Sequence, residues 1–292
     1  MPAFLNTDEA AEYLRISERK LYELVAASAV PCSKVTGRWL FPRAALDRWV
    51  AAGIAAGASP PQAAPPIVGG SHDPLLEWAL RESRCGLASL PEGSENGLRR
   101  LVRREIMVAA LHLHALSGDS EQANIDAVAG ASGLHDAVVI AFARREQGLV
   151  VAPGNPLGID GIGTLPQLRL ARRQDGAGAH LLLLSLLQKA GIGFDQLTVA
   201  RPDCITGSEI AERIRHGEAD CGIATRAAAQ SAGMDFVPLV WENFDLVLRQ
   251  RDYFLAGPQA LVGFLRSERF AARSAELGGY DLTESGRVRY VN

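Results

Sequence analysis

The 292-residue chain lacks most of the features that mark specialised protein classes. It has no apolar run of about 18 residues, so no membrane-crossing helix and no membrane partner are expected. The amino terminus lacks the pattern of a secretory leader, which makes a cytoplasmic location the expectation. Cys32, Cys85, Cys204 and Cys221 are scattered, with no Cys-x-x-Cys pair. They suit small buried residues in a reducing compartment better than a disulfide framework or a zinc site. A large charge of one sign is missing too: the net charge is −3, which implies neither an acidic tail nor a polyanion scavenger. There is no internal repeat. What remains is the composition of an ordinary globular protein, with room for a small module and a two-lobed domain.

The small module is readable in residues 3–53. Thr7 precedes Asp8-Glu9, a helix start with a hydroxyl cap and acids in the first turn. Ala10, Ala11 and Leu14 recur at helical spacing, and Arg15-Ile16-Ser17 turns the chain into a second helix capped by Ser17. Leu21, Leu24 and Val25 mark its buried stripe, which leaves Arg19, Lys20 and Tyr22 outward and early in the helix. Those positions reach a major groove in a helix-turn-helix. Residues 30–41 suggest two short strands around a Thr36-Gly37 turn, with Lys34 and Arg38 placed to touch phosphates. Pro42 begins a last helix through Leu46 and Trp49. A basic helix can also be only a solvated face. The ordered series of helix, turn, helix, basic turn and helix favours DNA. The seven cations of this stretch exceed its six anions by one, so one copy should bind weakly and a homodimer is expected.

TDEAAEYLRISERKLYEL, KVTGRWLFP and ALDRWV together resemble the excisionase-type, MerR-related winged helix-turn-helix family. The resemblance implies a double-stranded DNA partner and DNA contacts at Ser17, Arg19, Lys20, Tyr22, Lys34 and Arg38.

Residues 54–66, with paired prolines and neither charge nor periodicity, read as an extended linker. From Ile67 onward, short apolar runs alternate with helical stretches, the pattern of an α/β architecture. Strands are expected at Ile67-Val68, 86–90 and 106–113 in a first lobe, and two adjacent runs, 137–143 and 148–152, are read as strands that cross between the lobes. From near Gly163 a second lobe should hold strands at 168–171, 197–200 and 221–224, with further strands at 236–240 and 244–249, the latter returning to the first lobe. Helices are expected at 75–81, 98–102, 120–131, 179–189, 208–216 and 225–232. The 179–189 helix is apolar nearly all round and therefore buried.

Three turns share one construction: a strand, then Gly with Ser or Asp, then a helix start. They are Gly70-Ser71, Gly93-Ser94 and Asp175-Gly176-Ala177-Gly178. Helix N-termini present unpaired N–H groups and partial positive charge, hydroxyls add donors, and glycine lets a ligand approach the backbone. A small anion between two lobes fits this pattern, although each serine is also an ordinary helix cap.

GGSHDPLLEWAL, GSENGLRRLV, VAALHLH, RRQDGAGAHLLL, GEADCGIATRAAA, MDFVPLVWENFDLV and LGGYD span residues 67–292. They resemble the periplasmic-binding-protein-like domain found in cytoplasmic regulators and beside molybdenum-cofactor enzymes. The resemblance implies a two-lobed α/β fold and a transcriptional regulator responsive to a small oxyanion, molybdate or tungstate first. No resident cofactor or metal is implied. Ser71, Ser94, Asn96, His112, Arg173, Asp175, Gly176, Ala177 and Glu242 are the ligand residues it points to. One departure matters: the family's usual Gly-Ser-Gly-Thr-Arg turn is here Gly176-Ala177-Gly178-Ala179-His180, with two hydroxyls and a guanidinium missing.

His112 and His114, two apart on an expected strand, have metal-ligand spacing but no clustered carboxylates or cysteines near them. Glu242 and Asp245 could resemble a general acid/base pair, but no nucleophile or phosphate loop stands near them, and no active site is read. Two other readings stay open. One is a cofactor-insertion enzyme; the other is an architectural DNA-binding protein whose second domain has lost its ligand.

Overall fold

A computed structural model describes residues 3–27, 29–34, 37–55, 63–114 and 122–292. The chain divides into two compact units, Met1–Ala63 and Ala64–Asn292. Most of the expected linker, residues 56–62, lies outside the described residues, as do Val35, Thr36 and positions 120–121.

The first unit runs β1 (Phe4–Leu5), α1 (Thr7–Leu14), α2 (Glu18–Ala26), β2 (Phe41–Pro42) and α3 (Arg43–Ala55). Asn6, rather than the expected Thr7, caps α1. Its side chain accepts the Glu9 N–H at 2.9 Å while the Glu9 carboxylate accepts the Asn6 N–H at 2.8 Å. This reciprocal box satisfies two donors that a threonine one residue later would leave open. Arg15, at φ 53°, ends α1 in the left-handed region, and Ser17 caps α2 by accepting the Lys20 N–H at 3.2 Å. Ala10, Ala11, Leu21, Val30, Phe41 and Leu46 form the core. Of the expected strand pair around Thr36-Gly37, the described residues show a single antiparallel bridge between Ser33 and Leu40. Phe41-Pro42 pairs instead with Phe4-Leu5, a register that puts the Phe41 ring fully inside.

The second unit begins with β3 (Ile67–Gly70), α4 (Pro74–Glu82), β4 (Ala88–Pro91), α5 (Ser94–Val102), β5 (Val108–Leu111) and α6 (Ala123–Gly130). The long β6 (Ala137–Val151) leads to β7 (Arg169–Arg173), α7 (Gly178–Ala190), β8 (Thr198–Cys204), α8 (Gly207–Arg215), β9 (Cys221–Thr225) and α9 (Arg226–Ser231). A second long strand, β10 (Asp235–Arg249), returns. The end is α10 (Gln250–Tyr253), α11 (Ala256–Phe264), α12 (Glu268–Leu277), β11 (Tyr280–Asp281) and β12 (Val288–Val291). The strands form one curled mixed sheet in the order β4-β3-β5-β10-β6-β9-β7-β8, with β11 and β12 beside β6. Each half is apolar on both faces. Separate buried clusters flank the β3–β5 half and the β7–β9 half, so each half is a lobe with its own core.

The lobes are joined by the antiparallel ribbon of β6 and β10, whose register pairs Arg145 with Glu242 at its middle. β5 ends its pairing with β10 at Asp245, and β9 begins its pairing with β6 at Gln147. The crossover is therefore Arg144–Glu146 against Trp241–Asn243. Each of the two strands was expected as two shorter ones, broken at these residues. Their polar side chains interrupt the apolar pattern without breaking the ladder. Bulges at Pro238/Val240 and Phe244/Asp245 bend β10 on either side of the crossover. Gly148 is needed beside it, because a Cβ there would lie 2.2 Å from the Val237 carbonyl oxygen.

Other expected bounds shift slightly. The third strand stops at Leu111, so His112 and His114 lie beyond it rather than on one strand face. The four cysteines are free, with Cys85, Cys204 and Cys221 buried and Cys32 half-buried. No helix among the described residues is long and apolar enough to cross a membrane.

Because the first unit has its own core, Leu21→Ala should destabilise it by about 2–5 kcal/mol, the cost of a buried leucine deletion. Differential scanning calorimetry should show that loss in one transition, with the transition of residues 64–292 unmoved.

Candidate functional site

The three expected helix entrances do meet, but their side chains do different things from those expected. α4 is capped by Asp73, whose carboxylate accepts the Leu75 and Leu76 N–H groups at 2.9 and 3.0 Å. Ser71 is thereby released from capping, and its hydroxyl lies 2.7 Å from that of Ser94. Ser94 in turn accepts the His112 backbone N–H at 3.0 Å. Both serines are buried, and they hold the chain at His112 in place.

α7 presses on the same point from the second lobe. A Cβ on Gly178 would lie 1.9 Å from the His112 carbonyl oxygen and 2.4 Å from its Nε2. The Glu95 N–H donates to the Gly176 carbonyl at 3.3 Å, and the backbone at Gly93 faces Gly176 and Ala177. The lobes thus touch through glycine and alanine backbone.

A small cavity of about 10 Å³ lies beside this contact. Its walls are His72, Pro74, His112, Arg145, Gln147 and Arg173, together with the starts of α8 and α9 at Gly207 and Thr225. That volume suits a single water. A larger occupant requires the lobes to part, and the bulged ribbon is where the chain can bend.

Of the expected ligand residues, His112 and Arg173 line the cavity. Ser71 and Ser94 do not; they are spent on each other and on the His112 backbone. Asn96 donates its amide to the Glu92 carbonyl at 3.1 Å, one turn back. Asp175 is exposed and pairs with Arg172 at 3.0 Å and His180 at 3.3 Å. Gly176 and Ala177 serve the lobe contact. Glu242 sits behind the wall. Its Oε1 accepts Arg145 Nε at 2.7 Å and Gln147 Nε2 at 2.9 Å, and its Oε2 lies 2.6 Å from His114 Nε2. Asp245 points elsewhere, to Asn124 at 2.8 Å and Arg289 at 2.6 Å, so the two acids are not an acid/base pair.

Arg145 and Gln147 were not expected, and they matter most. Arg145 is 1% exposed, and its guanidinium joins Glu242 to Asp73 (2.8 Å) while lying 4.0 Å over the Phe244 ring. Tyr280, from β11, donates to the same Asp73 at 3.0 Å. Burial works against the charge on Arg145, but Glu242 and Asp73 outweigh it and raise its pKa. Burial likewise works to raise the Glu242 pKa; the surrounding positive charge and the His114 hydrogen bond override it and hold the carboxyl well below the usual range.

Arg173 is different. It is 7% exposed and donates Nε to the Cys204 carbonyl at 3.3 Å and Nη2 to the Ile205 carbonyl. No carboxylate among the described residues pairs with it. Burial, then the nearby Arg145, push its pKa down to about 10, so it remains charged at neutral pH. On the same cavity wall, both ring nitrogens of His112 lack a hydrogen bond, Nε2 lying 4.0 Å from Glu242 Oε1. Burial dominates there, and it holds the imidazole pKa well below its ordinary value despite the attraction of Glu242. An unpaired buried guanidinium sharing a cavity with a neutral imidazole is an arrangement that an anion would complete.

In the first unit, Arg19 and Lys20 project from the start of α2, and both reach Glu23, at 3.4 and 3.3 Å. These exposed pairs are weak and compete little with phosphate. Tyr22 is half-exposed on the same helix, while Ser17 is committed to its cap. Lys34 lies 5.1 Å over the Trp39 ring, and Arg38 is exposed past the Gly37 turn.

Comparison with known proteins agrees with this architecture. A PBP superfamily domain matches residues 77–266, about two thirds of the chain. The chain belongs to the PBP superfamily. A helix-turn-helix domain matches residues 4–53. An uncharacterised Bacillus subtilis protein, YvgK, is 25% identical over 96% of both chains. Among solved structures, the fold resembles a hydrogen-peroxide-bound mutant of OxyR from Corynebacterium glutamicum, at TM-score 0.53 and 16% identity, covering 93% of this chain and 89% of that one. It also resembles a phosphate-bound substrate-binding protein from Clostridium perfringens, at TM-score 0.53 and 13% identity, covering 74% and 98%. A helix-turn-helix ahead of a PBP-superfamily domain is the architecture of a ligand-sensing DNA-binding regulator.

Two outcomes test the site. Arg145→Met leaves Asp73 and Glu242 buried without their cation and should cost about 3–5 kcal/mol in urea unfolding at pH 7. His112, neutral when folded, takes up a proton on unfolding below its unfolded pKa near 6.5. It therefore makes stability fall as pH drops from about 7 toward 5. In a stability-versus-pH series, His112→Asn should flatten that fall by up to one proton; an unchanged slope would place the imidazole elsewhere.

Proposed function

We propose that the protein is a cytoplasmic DNA-binding transcriptional regulator, not an enzyme, that acts as a homodimer and senses a small oxyanion between the lobes of its second domain. The observation that carries the anion is Arg173, a buried guanidinium with no carboxylate paired to it among the described residues, sharing the cavity with a His112 ring that makes no hydrogen bond. The resemblance to molybdate-associated domains puts molybdate and tungstate first among candidates. Entry requires the β6–β10 ribbon to open, and closure around the anion would favour one lobe arrangement. That arrangement alters DNA affinity only to the extent that the anion binds the two states differently. DNA contact falls to the exposed Arg19, Lys20 and Tyr22 of α2, with Lys34 and Arg38 on phosphates. The reading of a ligand-free architectural protein rests on Ala177 and Ala179, and the uncompensated charge of Arg173 weighs against it.

Thermal unfolding against molybdate, tungstate, sulfate, phosphate and small carboxylates tests the sensor. An anion at a hundredfold excess over its Kd should stabilise the second unit by about 2.7 kcal/mol. Arg173→Gln should remove most of that shift, weakening binding by roughly ten- to a hundredfold, as expected for a lost charge-assisted hydrogen bond. Arg19→Ala with Lys20→Ala should weaken DNA binding across sequences and lower the salt dependence by about one to two ions. Retained affinity in that double variant would sink the α2 assignment.

A further inference from the structure

We propose that the inter-lobe cavity selects an anion that carries its own hydroxyl proton, and discriminates against fully deprotonated tetrahedral oxyanions. This rests on the anion reading above and narrows its ligand class.

The deciding group is Gln147. Its Nε2 donates to the Glu242 carboxylate at 2.9 Å, and that carboxylate also receives Arg145 at 2.7 Å. An ionised carboxylate only accepts, so the amide of Gln147 can present only its nitrogen to Glu242. The carbonyl oxygen is thereby turned away and cannot exchange places with the nitrogen. Gln147 is 2% exposed, lines the cavity, and its Oε1 has no partner. One wall of the cavity is therefore a fixed hydrogen-bond acceptor.

The other walls supply charge and a group of either character. Arg173 offers positive charge that no carboxylate among the described residues neutralises. His112 has both ring nitrogens free, one a donor and one an acceptor in the neutral ring. Arg145 is already committed to Asp73 and Glu242. A bare tetrahedral oxyanion carries acceptors only. It would satisfy Arg173 and accept the N–H of the neutral His112 ring. Against Gln147 Oε1 it would still set lone pair against lone pair in a dry site. An anion with an adjacent O–H donates to that oxygen while its charged oxygens meet Arg173. At neutral pH phosphate always holds at least one proton, whereas sulfate, molybdate and tungstate hold none. A 2-hydroxycarboxylate offers the same pair of groups. The order of candidates implied by resemblance is thus reversed.

The test is isothermal titration of the full chain at pH 7 with phosphate, sulfate, molybdate and tungstate, and with glycolate beside acetate. Phosphate should bind about ten- to a hundredfold tighter than the three unprotonated oxyanions, or glycolate tighter than acetate by the same factor. The first result assigns an inorganic ligand and the second an organic one. Gln147→Met removes the acceptor at similar volume and should collapse the preference to within about threefold. Sulfate or molybdate binding as tightly as phosphate, with glycolate no better than acetate, overturns the inference and leaves an anion sensor standing. A preference that survives Gln147→Met also overturns it. Binding of no anion at all overturns both. The wild-type ranking is decisive by itself if the variant does not fold.

Discussion

The second domain is organised around one buried guanidinium. Arg145 sits at the middle of the ribbon that joins the lobes, and it reaches Asp73 at the start of α4 and Glu242 on the facing strand. Each of those acids has a second duty. Asp73 caps α4 and receives Tyr280, and Glu242 receives Gln147 and lies against His114. A single cation thus ties together α4, both crossover strands and β11. Removing charges of this kind from water costs several kcal/mol per ion, and only full hydrogen bonding of every partner offsets it. The network is therefore poor evidence for stability as such. Its effect is to fix which backbone segments meet at the crossover, and with them the walls of the cavity.

The second buried guanidinium is held in the opposite condition. Arg173 ends β7 in the second lobe and has only backbone carbonyls and a neighbouring glutamine to donate to. Glu209, the carboxylate that acts on it through space, is engaged instead with the Ile205 N–H and the Thr206 hydroxyl, and Asp203 and Asp175 pair with Arg172. One arginine is thus neutralised so that the lobes connect, and the other is left charged where they close. A pKa lowered to about 10 still leaves Arg173 protonated at pH 7, and no carboxylate among the described residues pairs with it directly.

The lobes, the helix-turn-helix and most element positions were legible because they follow from periodicity and capping. That the chain crosses between lobes at 137–152 and 236–249 was legible too, but the continuity of each crossover strand was not. A run of Arg144-Arg145-Glu146-Gln147 inside apolar residues looks like the gap between two strands, and so does Trp241-Glu242-Asn243. In the folded chain these are mid-strand residues whose polarity is satisfied across the ribbon. Among the residues that broke the hydrophobic pattern, Arg145 and Gln147 line the inter-lobe cavity and Glu242 stands behind its wall. Ser71 and Ser94 misled for a related reason. A serine after a strand-ending glycine fits a ligand donor, a cap or a brace equally well, and only the position of Asp73 two residues after Ser71 removes the capping role there.

The altered turn at 176–180 takes on a different meaning in this light. The loss of two hydroxyls from the usual family turn suggests a weakened anion site. Yet Gly178 lies where any Cβ would strike His112, and Ala177 is fully packed against the backbone of Gly93. The alanines and glycines let the second lobe settle directly on the first, through backbone rather than through side-chain donors. Arg173, five residues before the start of α7, keeps a guanidinium in the cavity wall where position 180 supplies none. With fewer side-chain donors at the turn, the polar groups that line the cavity come from the crossover strand, through Arg145 and Gln147, and from His112 and Arg173.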